Sequence, residues 1–309
     1  MQTILGAGGA IGVELAKALK NFTNEIRLVS RNPKKVNETD TLFPADLSVE
    51  EQVDKAVQGS EICYLTLGYA YNTKLWQEKW PPLIRNVVAA CIKHQAKLVF
   101  FDNVYAIGGD NVKRITESSP ISPSSKKGEV RAYVDKYILE NSEKGKLTAI
   151  IARAPDFFGP IKDKSGLMSL IYDNLVKGKK AQWFCNADVT HTTGYAPDLA
   201  KGTAIAGNTP EAFNQVWNLP VDSHALTGRE WVKLFADEMN VALGVQVLPG
   251  WGMKALGLFV PILNEMYEMR YQYDREYYFD SSKFVTKFNY TPTTNQAAVR
   301  QTVAQLKSA

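Results

Sequence analysis

Residues 1–19 read MQTILGAGGAIGVELAKAL. An apolar run, QTIL, leads into Gly6, Gly8, Gly9 and Gly12, and then into VELAKAL, whose apolar residues recur at helical spacing. Glycine at a strand-to-helix turn permits positive φ, lets a ligand approach the backbone and lets the helix pack closely on the strand. The helix that follows offers unpaired N–H groups and the positive end of its dipole, a combination suited to a pyrophosphate. The register is Gly6-x-x-Gly9-x-x-Gly12, with Ala10 and Ile11 at the start of the helix. The competing reading is a tight turn without a ligand.

Working outward, EIRLVS, EICYLTLG, KLVFFD and LTAIIAR are further short apolar runs of the kind buried on both faces of a sheet. IGVELAKALKN, VEEQVDKAVQGS, the segment around LWQEKWPPLIRNVVAACIKHQ, and GEVRAYVDKYILENSEKG are the helices between them. Repeated strand–helix–strand units imply right-handed crossovers and a parallel sheet. The expected fold is α/β, a Rossmann-type doubly wound parallel sheet with a smaller C-terminal α+β lobe. Residues 1–160 form the nucleotide-binding domain and 161–309 mainly the second lobe, with 190–205 returning to the core. QWFC, QVWNLP and VQVLP are the lobe's strands, and NQAAVRQTVAQLKSA is a final helix. The serine-rich stretch ESSPISPSSKKGE (117–129) is a loop before the GEVRAYVDKYILE helix.

Composition excludes several classes. The 309 residues are 45% hydrophobic and 22% charged, with a formal net charge of +4 and no long basic run, which argues against nucleic acid as a partner. Cys63, Cys91 and Cys185 form no CxxC, so neither a structural metal nor a disulfide framework is expected. ALGLFVPIL (255–263) is too short to span a bilayer and contains a proline. A cytoplasmic location with no membrane partner is the expectation, and homodimerisation is left open. Trp76 and Trp80 stand at helical spacing and read as core.

The end of the second strand bears on the cofactor. NAD-binding folds place an acid about 20 residues past the glycines. Here the chain reads LVSRNPKK, with no acid until Glu38. Ser30, Arg31 and Lys34 suit a 2′-phosphate instead, since an arginine fork matches phosphate geometry. NADP is therefore expected in preference to NAD.

Taken together these residues resemble the extended short-chain dehydrogenase/reductase superfamily, of the NAD(P)-dependent epimerase/dehydratase type, over nearly the whole chain. GAGGAIG matches its glycine turn. Asp46 and Leu47 in PADL look like its adenine-contacting pair, and Thr66, Leu67 and Gly68 fall in its cofactor loop. ARAPDFFGP (152–160) and THTTGYAPDLAKG (190–202) resemble two later segments. The resemblance implies a Y-x-x-x-K pair, the tyrosine moving a proton and the lysine binding ribose and lowering the phenol pKa. Lys136 and Glu140 match the K-x-x-x-E half, and Lys136 is the expected ribose ligand. The tyrosine position then reads Ala132, with Tyr133 one residue away.

Asn103 and Tyr105, in D-N-x-Y, stand where the family's assisting serine would be. D-N-x-Y, K-G-x-x-R (Lys127, Gly128, Arg131) and D-F-F-G-P (Asp156 to Pro160) together resemble an atypical subgroup. The catalytic candidates are thus Lys136, Tyr133, Asn103 and Tyr105. The substrate candidates are Arg131, Asp156, Phe157 and His191. Arg131 either binds an anionic group or pairs with Asp135, and His191 either acts as an acid or bonds a loop backbone. Two functions follow: an NAD(P)-dependent oxidoreductase or epimerase/dehydratase acting on a small carbonyl or sugar-type substrate, or a catalytically silent NADP-binding sensor.

Overall fold

The computed structural model describes residues 1–161 and 165–307. Seven strands form one parallel sheet: β1 (Gln2–Leu5), β2 (Ile26–Ser30), β3 (Thr41–Pro44), β4 (Ile62–Leu65), β5 (Lys97–Asp102), β6 (Ala149–Arg153) and β7 (Gln215–Asn218). Their order is β7-β6-β5-β4-β1-β2-β3. The chain runs from β1 to one edge, then returns to start β4 on the other side of β1. That reversal makes the carboxyl ends of β1 and β4 the switch point where such sheets bind ligands. Both strands are buried throughout, which explains their unbroken apolar sequences.

Crossover helices are α1 (Ala10–Leu19), α2 (Glu50–Val57), α3 (Thr73–Lys93) and α4 (Lys126–Glu143), with α5 (Ala196–Gly207) leading to β7. Leu5, Leu65, Phe100 and Ile151 of the sheet pack with Trp76, Trp80 and Val87 of α3 and Val134 and Ile138 of α4. Cys63 and Cys91 are fully buried in the same core.

The chain divides into two compact units, and not by a single cut at residue 160. The first comprises Met1–Ala106, Lys127–Ala154 and Leu199–Leu219, and the second comprises Ile107–Lys126, Pro155–Asp198 and the chain from Pro220 onward. The return to the sheet unit is therefore 199–219 rather than 190–205. QVWNLP belongs to the sheet: Gln215–Asn218 pairs with Ile150–Arg153. A four-residue apolar strand does not reveal which sheet will receive it. β3 was missed altogether, because TLFP is a largely exposed edge strand with a terminal proline and has no buried run to betray it.

In the second unit, Ala181–Phe184 pairs with Val245–Leu248, and Phe157–Phe158 with Gly194–Tyr195. Helices α6 (Gly228–Met239) and α7 (Asn295–Lys307) enclose a core of Phe158, Trp183, Trp231, Phe235, Val299 and Val303. Among the described residues, no helix is long and apolar enough to cross a membrane, and no cluster of three or more His, Cys, Asp or Glu could hold a metal.

Gly12 sits where α1 meets the turn after β1. A Cβ there would lie 2.9 Å from both Ala7 Cα and Gly6 O. Gly12→Ala is expected to lower stability by about 1–3 kcal/mol, the usual cost of overpacking, read as a shift in the urea midpoint.

Candidate functional site

At the carboxyl end of β1 the chain must turn within the space left by the loop after β4. Gly6 has φ +97°, and a Cβ on it would fall 2.6 Å from the Leu67 backbone. Gly6 and Ala7 both donate to the Val29 carbonyl, which ties the turn to β2. Gly9 is the N-cap of α1, has no side chain to cap with, and the first turn carries no acid. The N–H groups of Ala10, Ile11 and Gly12 therefore lack both an intrahelical acceptor and a side-chain cap. Helix α6 is the contrast: Thr227 and Glu230 close its N-terminus in a capping box. Around Gly8 and Gly68 the space a Cβ would take is open. An uncapped dipole end over an open glycine turn fits a pyrophosphate.

Beside it, Arg31 and Lys34 are exposed past β2, with Ser30 half-buried at its end. The Asp46 carboxyl accepts the Ser48 N–H at 2.9 Å. That bond holds it below the usual carboxylate range, helped by Arg31 and Lys79. Leu47 is buried beneath.

The carboxyl ends of β5 and β6 carry a buried charge cluster. Arg131 Nε lies 3.1 Å from Asp102 Oδ1, and Arg153 donates to Asp135 Oδ2 at 3.1 Å. All four side chains are at most 6% exposed. Burial pushes the Asp102 carboxyl well up, Arg131 pulls it back, and the nearby Asp135 raises it further. The Arg131 guanidinium also sits 4.0 Å over the Trp80 ring. Arg131 thus pairs with Asp102, while Arg153 takes Asp135, and the Nε and Nη1 of Arg131 have no hydrogen-bond partner among the described residues.

One turn earlier, Lys127 is fully buried, its Nζ 2.9 Å from Thr73 Oγ1 and 4.5 Å over the Tyr71 ring. Asn103 Oδ1 accepts the Tyr105 N–H, and the Tyr105 ring stacks on Trp76.

Lys136 and Tyr133 lie elsewhere on α4. Lys136 is exposed, and Tyr133 is 38% exposed, accepting from Arg85 and stacked on Tyr137. The inward stripe is Lys127, Arg131, Asp135 and Ile138, at helical spacing. The helix starts at the carboxyl edge, where Arg131 meets Asp102, and ends at the opposite edge, where Ser142 meets Asn214 beside the start of β6. Lys136 is therefore about 13 Å further along the axis than Lys127. The sequence reading named Lys127 only within K-G-x-x-R, and its burial was not foreseen although its i, i+4, i+8 relation to Arg131 and Asp135 was visible.

In the second unit His191 is buried between Tyr273 and Tyr277, with ring centroids 4.6 Å away on each side. Its Nδ1 donates to the Gln272 carbonyl at 3.0 Å, the loop-backbone role, while Nε2 lies 3.1 Å from Asp156 Oδ2. Tyr273 donates to the same oxygen at 2.7 Å. Burial works to raise the Asp156 carboxyl, but the hydrogen bond and charge of His191, with the Tyr273 hydroxyl, hold it below its usual value. Phe157 is half-buried in its short strand.

The same unit contains a cavity of about 450 Å³ that the sequence did not reveal. Trp251, Tyr267, Lys254, Arg270, Asp274 and Cys185 line it. These residues come from segments up to 89 positions apart in the chain. Burial pushes the Cys185 thiol up to about 11, so it stands there as a neutral thiol.

The fold agrees with the comparisons. The chain belongs to the NAD dependent epimerase/dehydratase family, whose model matches residues 3–219. Its fold is similar to Thermus thermophilus UDP-glucose 4-epimerase complexed with NAD (TM-score 0.79, 17% identity, 100% of both chains covered). It is also similar to Bacillus anthracis dTDP-glucose 4,6-dehydratase in complex with NAD (TM-score 0.80, 15% identity, 99% of this chain and 96% of that one). Thermotoga maritima UDP-glucose 4-epimerase with UDP-glucose is a third (TM-score 0.79, 17% identity, 100% and 99%). No curated protein matches by sequence.

Two outcomes test this site. Arg131→Met should cost about 3–5 kcal/mol of stability by stranding Asp102, as breaking buried pairs does, measured by chemical denaturation. Asp156 contributes stability that is full above its unfolded pKa of about 3.9 and is lost as pH falls through its lower folded value. Asp156→Asn should therefore flatten the acid limb of the stability–pH curve.

Proposed function

We propose that this protein binds NADP(H) on the Gly6–Gly12 turn and acts as an oxidoreductase or epimerase/dehydratase on a small carbonyl or sugar-type substrate. The observation that carries the reading is the uncapped N-terminus of α1 above a glycine turn with open space at Gly8. Gly6, Gly9, Ala10, Ile11 and Gly12 hold the pyrophosphate. Ser30, Arg31 and Lys34 hold the 2′-phosphate, Asp46 and Leu47 border the adenine, and Thr66, Leu67 and Gly68 border the rest. When bound, the dinucleotide supplies or accepts a hydride.

The protein's own contribution at that edge is proton handling and orientation. On this reading the family's tyrosine and lysine positions fall on the inward stripe of α4, at Lys127 and Arg131, and not at Ala132 and Lys136. Two cations then replace the phenol and its lysine. Tyr105, with Asn103 beside it, is the phenol left at the end of β5. The cavity of the second unit, with Lys254 and Arg270 against the single carboxylate Asp274 and two aromatic faces, suits a ring-bearing polar substrate group. The silent-sensor reading has its own support: Arg131 is committed to Asp102 and Lys127 to Thr73 and Tyr71.

Calorimetric titration is expected to show tighter binding of NADP than NAD; equal affinities, or tighter NAD, would overturn the preference. Arg31→Ala should weaken NADP by about 1.5–3 kcal/mol, the worth of a charge-assisted hydrogen bond, and leave NAD nearly unchanged. Gly9→Val should abolish binding of both while the fold survives, because a Cβ there makes only ordinary contacts of 3.4 Å or more.

NADPH oxidation across aldehydes, ketones and nucleotide sugars separates the two readings. Activity in the wild type that falls about 10²–10⁴-fold in Tyr105→Phe supports general acid catalysis. Silence despite tight NADP binding supports the sensor. In that case Lys127→Tyr with Arg131→Lys, which restores the family pair on the inward stripe, is the variant expected to gain turnover.

A further inference from the structure

The His191 ring is packed on every side. The rings of Tyr273 and Tyr277 lie 4.6 Å above and below it, tilted by 19° and 20°. Trp183 of the strand Ala181–Phe184 meets it edge-on, and Trp231 of α6 donates to its main-chain carbonyl. Each ring nitrogen faces an acceptor. Nδ1 is 3.0 Å from the Gln272 carbonyl oxygen, which has no proton to give. Nε2 is 3.1 Å from Asp156 Oδ2, which already receives the Tyr273 hydroxyl at 2.7 Å. A neutral imidazole has one donor and one acceptor, so it can satisfy one of these partners; an imidazolium has two donors and satisfies both. The alternative, a proton on Asp156 Oδ2 shared with a neutral ring, is opposed by a carboxyl held below its usual range. Two aromatic faces within about 6 Å of the ring also favour a cation between them.

We infer that His191 is locked as a buried imidazolium cation and acts as a pH-sensitive latch on the segment 270–277. Three stretches of one unit meet at its ring: Asp156, the chain around 191, and 270–277. Arg270 and Asp274 of the last stretch line the cavity of that unit, so the latch holds part of the cavity wall. Asp156 is the charged group bonded to the ring, and Tyr273 and Tyr277 are the titratable groups beside it. The strand and α6 contribute tryptophans at this point, which do not titrate. When the second proton leaves, a nitrogen lone pair faces either the Asp156 carboxylate or the Gln272 carbonyl, and one tie of the segment is lost. An imidazole in the unfolded chain gives up its proton near pH ~6.5. The stabilisation from the latch is therefore complete below that pH and is lost as pH rises. The Asp156 carboxylate fails in the opposite direction, in acid.

NMR of the full wild-type chain, labelled at the histidine ring nitrogens, tests the assignment. At about pH 7.5, where a free imidazole is mostly neutral, His191 is expected to carry a proton on both nitrogens, and the exposed His224 to show the neutral pattern. Hydrogen exchange supplies the second readout. The amides of Tyr273 and Tyr277 donate to the Arg270 and Thr190 carbonyls. As pH is raised through the loss of the second His191 proton, their exchange should quicken at least about tenfold beyond the intrinsic change, the worth of one charge-assisted hydrogen bond. Asp156→Asn, which keeps the shape and removes the charge, should move that loss to lower pH. A single ring proton on wild-type His191 at about pH 7.5 overturns the proposal, and so does exchange at Tyr273 and Tyr277 that does not follow the His191 titration.

Discussion

Two arginines and two aspartates meet in a nearly dry space at the ends of β5 and β6, and much of the first unit's geometry depends on their pairing. Asp102 ends β5, Arg153 ends β6, and Arg131 and Asp135 are one turn apart on α4. Any one of them left alone would be a buried, uncompensated charge. The helix therefore cannot slide or rotate by a residue without a large penalty. The aromatic rings around Arg131 reinforce the setting, since a weakly hydrated guanidinium stacks well on Trp80. This constraint decides which residues of α4 face inward. It brings Lys127 to the carboxyl edge of the sheet and leaves Tyr133 and Lys136 to solvent.

The N-termini of α1 and α6 are built differently. A capping box is worth about 1 kcal/mol or more, and α6 has one. At α1 that stabilisation is forgone: Gly9 cannot cap, and no acid occupies the first turn. Free N–H groups and an unneutralised dipole end remain in reach of an anion. Glycine also serves geometry here, since the Leu67 backbone leaves no room for a side chain at Gly6. The positions that give up cap stabilisation are the ones a phosphate would use.

His191 illustrates how little a residue's type says about its task. A histidine in a polar stretch resembles a free acid, yet this one is clamped between two tyrosines, with both ring nitrogens engaged. Its effect reaches Asp156, whose carboxylate it stabilises together with Tyr273. Two of the sequence-derived substrate candidates are thus bonded to each other within their own unit.

The sequence by itself determined the parallel sheet, the glycine turn and its register, and the basic end of β2, because these are local. Unbroken apolar runs mark strands buried on both faces, and glycine spacing marks a turn a few residues long. The tertiary structure decided the division into units, the place of β7 and the inward face of α4. A helix sequence fixes which residues share a face but not which face turns inward: Ala132 and Lys136 share one, and Lys127, Arg131 and Asp135 another. Choosing between them required Asp102 and Arg153, which are distant in the chain. The cavity around Arg270 was invisible for the same reason. Burial free energy and ion pairing act between segments far apart in sequence, and only the folded chain shows which segments meet.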